Sequence, residues 1–233
     1  MQTYYPTITT LKASEVRRYA GLSPQTDFSE QMLQTAMREA ILLIHPQGTW
    51  NTYPYDEASH IIYTPDPVTL EGKNIQKFLT GAVQVAILAV TISTTLEEEV
   101  TRLFADNSYT AALLLDAAGT AAVEQTADEL CRIIRHQSSA AGLVSGNRFS
   151  PGYGDWNILS QKEILPLSGG PALGITLTAA SMLVPRKSVT AIVGLYPTQA
   201  QSYPLDTNHL SCQHCNQNSC LARKETTNHD KDF

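Results

Sequence analysis

The stretch 146–196 constrains the fold and chemistry of this chain more than any other part of it. Its first eleven residues read GNRFSPGYGDW and place Arg148 five residues before Tyr153, across a Ser-Pro-Gly turn. Proline fixes φ at about −65° and glycine accepts positive φ, so Pro151 and Gly152 predict a tight bend with backbone groups open to a ligand. Arg148 can bind a carboxylate through its planar fork, and Tyr153 offers a ring face and a hydroxyl. A surface loop with an incidental arginine is the alternative, because turns of this composition are common.

A second motif follows in the same stretch. It begins at Gly174, ends at Val189, and has the pattern G-x-T-L-T-x-x-x-M-x-x-P-x-x-S-V. Together with the earlier R-x-x-x-G-Y segment and a final G-L-Y that ends at Tyr196, this pattern resembles the activation domain of cobalamin-dependent methionine synthase. One hexapeptide alone would be a weak signal, but two motifs in the right order with a matching tyrosine are specific.

The resemblance implies a ligand, S-adenosylmethionine (AdoMet). In that family the arginine of the hexapeptide contacts the AdoMet carboxylate, and backbone groups of the turn recognise the adenine by hydrogen bonds. A tyrosine at the end of the last strand lines the site. The implied binding residues are Arg148, Ser150, Pro151, Gly152, Tyr153 and Tyr196. An acidic residue is also implied, on an alanine-rich helix after Tyr109: Asp116 aligns with it only if one residue is inserted, and Glu124 is a second candidate. Both carboxylates could instead be solvated helix charges, since exposed carboxylates are the rule.

Composition excludes several classes of protein. The 233 residues are 42% hydrophobic and 16% charged, as in an ordinary soluble globule. A net charge of −6 without a Lys/Arg block argues against nucleic-acid binding. The N-terminus lacks the basic and apolar regions of a signal peptide, so we expect a cytoplasmic protein. The apolar residues 78–96 include Gln84 and run into three glutamates, which predicts a buried helix rather than a membrane span.

The pattern along the chain is mixed. Helices are predicted at 13–21, 27–44, 73–104 and 108–137, with a short one from Trp156 to about 164. Strands are predicted within 48–64, 68–70, 175–178 and 189–195, and a flexible hinge at 138–147. The two long helices should pack as a hairpin, with Gly119 at a close contact. Strands and helices without regular βαβ alternation indicate an α+β fold. The resemblance implies a central twisted antiparallel sheet flanked by long helices.

The C-terminal end carries a cysteine cluster. Cys212, Cys215 and Cys220 lie within nine residues, and the C-x2-C spacing lets two thiolates converge on one ion, as in zinc and iron–sulfur sites. The fourth ligand could be Cys131, His209, His214 or nothing from this chain. Redox-labile free thiols are the alternative to a metal site, because a cytoplasmic setting disfavours structural disulfides. We therefore divide the chain into an activation-like domain, 1–200, and a cysteine-containing tail, 201–233.

The chain departs from the full synthase in ways that shape the functional expectation. It has no room for the homocysteine, folate and cobalamin modules, and no D-x-H-x-x-G cobalamin motif. We expect a free-standing activation subunit, a methyltransferase component that acts on cobalamin carried by a methionine synthase or another corrinoid protein. It would support reductive methylation of cob(II)alamin by AdoMet, with an electron from a flavodoxin or ferredoxin-like donor, or through the cysteine cluster if that holds iron.

No His/Asp/Ser constellation stands out, which suits a protein that positions a methyl donor rather than performing acid–base catalysis. Two other functions remain open at this point. One is a reductive activator for a different corrinoid methyltransferase, with a cysteine-ligated cluster supplying the electron. The other is a non-catalytic AdoMet-binding or interaction module.

Overall fold

The computed structural model describes residues 2–23 and 26–198. The strands are β1 (Gln2–Tyr4), β2 (Gln47–Asp56), β3 (Ile61–Ile62), β4 (Val68–Thr69), β5 (Gln84–Thr91), β6 (Leu143–Phe149), β7 (Thr176–Leu177), β8 (Leu183–Val184) and β9 (Ser188–Pro197). The α-helices are α1 (Ala13–Tyr19), α2 (Glu30–Leu43), α3 (Lys73–Phe78), α4 (Thr95–Ala105), α5 (Tyr109–Ala140) and α6 (Gln161–Ser168). Two 3-10 turns are Ile158–Ser160 and Gly170–Leu173.

Seven of the strands form one antiparallel sheet in the order β4-β3-β2-β5-β9-β6, with β1 paired to β2. The β7–β8 pair forms a separate hairpin. Helices α1, α2, α4 and α5 cover one face of the large sheet, where a cluster of buried aliphatic side chains joins them to β5 and β9. A second cluster lies on the other face, among α3, α6 and the turn after β6. This arrangement confirms the predicted α+β class with a central antiparallel sheet flanked by helices.

The central strand β5 was the main error of the sequence-based assignment. Residues 78–96 are not one helix: α3 ends at Phe78, β5 follows, and α4 begins at Thr95. All of β5 after Gln84 is buried, because helices cover both faces of the sheet. A continuous apolar run of this length fits a buried strand and a buried helix equally well, so periodicity could not separate them.

The long helix α5 is present as predicted and extends to Ala140. It packs against α4 as the expected hairpin, and against α1, α2 and the sheet. Gly119 lies beneath Leu96 of α4, where a Cβ on the glycine would be 2.6 Å from the leucine Cδ2. The predicted close contact at Gly119 is therefore confirmed.

The predicted flexible hinge at 138–147 is wrong. Residues 138–140 complete α5, residues 141 and 142 form a turn, and residues 143–147 belong to β6, which pairs with β9 at the edge of the sheet. The register shifts between Ser145 and Arg148, so the small residues of this segment form a bulge rather than a loop. Arg148 follows the bulge directly and pairs with Val193 of β9. Within the described ranges, no helix combines the length and apolarity that crossing a bilayer would require.

Candidate functional site

Arg148 of β6 reaches across to helix α5 and meets two carboxylates. Its Nη2 donates a hydrogen bond to Glu124 Oε2 at 2.7 Å and another to Asp128 Oδ1 at 2.8 Å. The two acids are four residues apart, so they lie on the same face of α5, one turn from each other. Glu124 was a predicted site residue and the structure brings it to Arg148; Asp128 was not predicted.

The electrostatics of this cluster favour a permanently charged arginine. Burial acts to lower the pKa of Arg148, but the charges of Glu124 and Asp128 outweigh that effect and raise it above its ordinary value. With one cation and two carboxylates, the cluster carries a formal surplus of one negative charge. The guanidinium side chain remains 21% exposed, which leaves it in reach of a ligand at the edge of the sheet.

The turn after β6 has the predicted bend. Gly152 adopts φ 93°, a value that favours glycine. The N–H of Tyr153 donates to the carbonyl of Ser150 at 3.2 Å, and the N–H of Gly152 donates to the carbonyl of Trp156 at 2.8 Å. The expectation that the turn leaves its backbone open is thus wrong for these two N–H groups. In the part of the chain that the structure describes, the carbonyls of Pro151 and Gly152 accept no hydrogen bond, so the acceptors remain open.

A side chain that the sequence did not single out anchors this turn. The carboxylate of Asp155 accepts the N–H groups of Lys73 and Asn74, at 2.8 and 2.9 Å, and so caps the start of α3. The bonds to these N–H groups lower the pKa of Asp155. Because the capped helix is about eighty residues away along the chain, no local pattern could have revealed this contact.

Tyr153 lies on the turn that follows Arg148 and packs against Phe149. Its residue surface is 55% exposed, and its ring meets the edge of Phe149 with 6.0 Å between centroids. Phe149 also stacks on Trp156, which is buried in the core, and this packing fixes the position of the turn after β6. The pKa of the Tyr153 hydroxyl is raised, mainly by desolvation and to a lesser extent by the Glu124 carboxylate, while Arg148 acts to lower it. The charges of Arg148 and Glu124 therefore act on the hydroxyl of an exposed tyrosine on this turn.

Tyr196, the last of the binding residues that the resemblance implies, has a different setting. It is 1% exposed, and its hydroxyl donates to the carbonyl of Phe78 at 2.9 Å. Its ring lies against Gly146, 3.1 Å from where a Cβ would stand, and belongs to the hydrophobic cluster on the face opposite α5. Burial raises the pKa of this hydroxyl above its usual range. Tyr196 is therefore a buried residue that packs against the β6 bulge at Gly146.

Asp116 is not brought to the cluster. Its carboxylate pairs with Lys187 Nζ at 2.9 Å, and the same ammonium donates to Thr120 Oγ1 at 2.8 Å. Asp116 precedes Glu124 by eight residues, which is about 12 Å along a helix axis. The structure therefore separates the two acidic candidates, and places only Glu124 beside Arg148.

Comparison with known proteins supports the fold. No family model matches the chain, and no curated protein sequence matches it. A solved structure described as the MetH reactivation domain bound to AdoHcy superimposes with a TM-score of 0.58 and 15% sequence identity. The match covers 87% of this chain and 80% of that one. The chain has the fold of the MetH reactivation domain. This reactivation-domain fold confirms the resemblance that the two sequence motifs indicated, and identity at this level establishes the fold alone.

One residue of the cluster, Asp128, was missed from the sequence. Asp128 follows Glu124 by one helical turn, and that i, i+4 spacing was the available signal. Tyr19 lies outside the cluster, on α1, and desolvation first, then the charge of Glu124, raise the pKa of its hydroxyl. The guanidinium of Arg18 lies 4.0 Å above the Tyr19 ring. In this reactivation-domain fold, α1 packs against α5, the helix that carries Glu124 and Asp128.

The predicted metal ligands Cys212, Cys215 and Cys220 lie outside the described residues, as do His209 and His214. Cys131 is a free, partly buried thiol on α5, and burial raises its pKa to about 11. Within the two described ranges, residues 2–23 and 26–198, no group of three His, Cys, Asp or Glu side chains is arranged to hold a metal ion.

Proposed function

We propose that this chain binds AdoMet beside Arg148 and serves as a reactivation module for cobalamin carried by a partner protein. The observation that carries the proposal is a permanently charged, partly exposed arginine that directly precedes a pre-formed turn with an exposed aromatic ring. The reactivation-domain fold supports it, since the solved structure with that fold contains AdoHcy, the demethylated form of AdoMet.

The chemistry of the ligand fits the residues present. AdoMet ends in an amino acid group with a carboxylate and an ammonium. Arg148 can bind the carboxylate with charge-assisted hydrogen bonds, and Glu124 is placed to accept from the ammonium. The carbonyls of Pro151 and Gly152 can accept from the amino group of an adenine, and the exposed ring of Tyr153 offers a surface for stacking. Ser150 shapes the turn by accepting the N–H of Tyr153. Tyr196 contributes by holding the bulge that presents Arg148.

The proposed reaction is a reductive methylation. One electron reduces inactive cob(II)alamin on the partner to cob(I)alamin, which takes the methyl group from the AdoMet sulfonium and releases AdoHcy. Methyl transfer to the reduced cobalamin is effectively irreversible, so it draws the unfavourable reduction forward. A flavodoxin or ferredoxin-like protein would supply the electron, with the cysteine cluster as a further candidate. This chain's residues bind and orient the methyl donor, which is a positioning role.

Calorimetric titration of AdoMet into the wild type and Arg148→Ala tests the binding step. Loss of a charge-assisted bidentate contact should cost about 2–4 kcal/mol, or roughly thirtyfold to several hundredfold in affinity. Arg102→Ala is a matched control, because Arg102 is an exposed arginine of a different helix, α4, and its ion pairs are with Glu99 and Asp106. Equal affinity in wild type and Arg148→Ala would refute the site. AdoMet binding without any methyl transfer to a corrinoid partner would instead indicate a non-catalytic AdoMet-binding module.

A further inference from the structure

The two hydrogen bonds of Arg148 share one nitrogen, and that detail bears on ligand entry. Both Glu124 and Asp128 accept from Nη2. A guanidinium can hold a carboxylate at two points along either of two edges, Nε with Nη2 or Nη1 with Nη2. Each edge needs one of the two Nη2 hydrogens. Since both hydrogens are directed to protein carboxylates, neither edge is open to a two-point contact with a ligand carboxylate.

One carboxylate must therefore leave Nη2 before a ligand carboxylate can bind there. The side chain of Asp128 is 70% exposed, whereas that of Glu124 is 27% exposed. An exposed carboxylate that loses its ion pair is hydrated by water, so its pair contributes little. A partly buried carboxylate that loses its ion pair is hydrated less completely, so breaking that ion pair costs more free energy. Asp128 is thus the partner of Arg148 that can be displaced at low cost, and Glu124 is the partner that stays.

We propose that Asp128 is a built-in competitor for the ligand carboxylate at Arg148. In the ligand-free protein it occupies one Nη2 hydrogen, and AdoMet binding replaces the Asp128–Arg148 hydrogen bond with a bidentate contact to the ligand. This inference rests on the proposed function and names a further residue that controls binding at the same site.

The competitor also shapes ligand selectivity. The cluster already carries one surplus negative charge, and a bound carboxylate adds a second. A simple organic acid brings no charge to offset this, whereas AdoMet brings its ammonium and its sulfonium. Like charges held close together in a partly buried site repel strongly. The arrangement therefore favours a cationic amino acid ligand over plain carboxylates, at the expense of some affinity for AdoMet.

The test compares Asp128→Asn with Glu129→Gln, using AdoMet and 5′-methylthioadenosine as ligands in calorimetry. Both substitutions remove one negative charge from neighbouring positions of α5, but Glu129 pairs with Arg132 and does not contact Arg148. Asp128→Asn should bind AdoMet about two- to fivefold more tightly, the range that an exposed ion pair provides. Glu129→Gln should bind no more tightly than wild type. Neither substitution should strengthen binding of 5′-methylthioadenosine, which lacks the carboxylate.

Unchanged or weaker AdoMet binding by Asp128→Asn, with normal binding by the wild type, would overturn the competitor role and leave the proposed function standing. A wild type that binds neither ligand would overturn both. Equal strengthening of both ligands by Asp128→Asn would also contradict the proposal, because it would show a general effect on the turn rather than competition for Arg148.

Discussion

Replacing Tyr196 with phenylalanine separates a supporting role from a ligand-binding role. The substitution removes only the hydroxyl, which is buried and donates to the carbonyl of Phe78 at 2.9 Å. A buried carbonyl left without its donor costs about 1–3 kcal/mol. For a domain of this size each kilocalorie lowers Tm by about 2–4 °C, so we expect a decrease of roughly 2–12 °C.

Differential scanning calorimetry measures the stability change, and AdoMet titration of the same sample measures the affinity. We expect the affinity to stay within about twofold of wild type, since the hydroxyl faces the interior and not the cluster. Tyr153→Phe is the matched control, because its ring is exposed and its hydroxyl should matter little to folding. A Tyr196→Phe protein with unchanged Tm and much weaker AdoMet binding would refute the supporting role and favour direct contact with the ligand.

Three further predictions follow from the site and the cysteines. Glu124→Gln should weaken AdoMet binding about tenfold or more in calorimetry, because it weakens a charge-assisted contact, whereas Asp116→Asn should leave it unchanged; equal effects would contradict the separation of these two acids. Cys131 should react slowly with iodoacetamide at pH 8 and faster as pH rises towards its raised pKa of about 11; rapid alkylation at pH 8 in a variant without the other cysteines would be inconsistent with that pKa. Metal analysis of anaerobically purified protein should show iron or zinc that is lost in Cys215→Ser, and a metal-free wild type with full activity would exclude a functional cluster.

The sequence motifs around Arg148 were informative because they combine residues with special backbone or charge properties. Gly152 needed positive φ, and the structure confirms it. The α+β class followed from the mixture of strand and helix patterns. The central strand β5 could not be recognised, because burial on both faces removes the alternation that identifies a strand. The β6 bulge was mistaken for a hinge, since small residues are typical of both.

Within the site, the sequence could identify residue types but not their partners. Nothing local showed that Asp155 caps α3 or that Asp128 shares Nη2 of Arg148, because both contacts join distant parts of the chain. The setting of Tyr196 likewise depends on side-chain direction in β9, which a motif does not specify. Long-range packing therefore decides which of the candidate residues meet.

The most direct test of the account is the formation of methylcobalamin. The protein is mixed with a methionine synthase fragment that carries cob(II)alamin but lacks an activation domain, together with AdoMet and a chemical reductant, and the visible spectrum is followed. The account predicts that methylcobalamin forms with the wild type, and forms far more slowly with Arg148→Ala or without AdoMet. A spectrum that stays that of cob(II)alamin with the wild type, although AdoMet binds, would contradict the reactivation role, as would equal rates with wild type and Arg148→Ala.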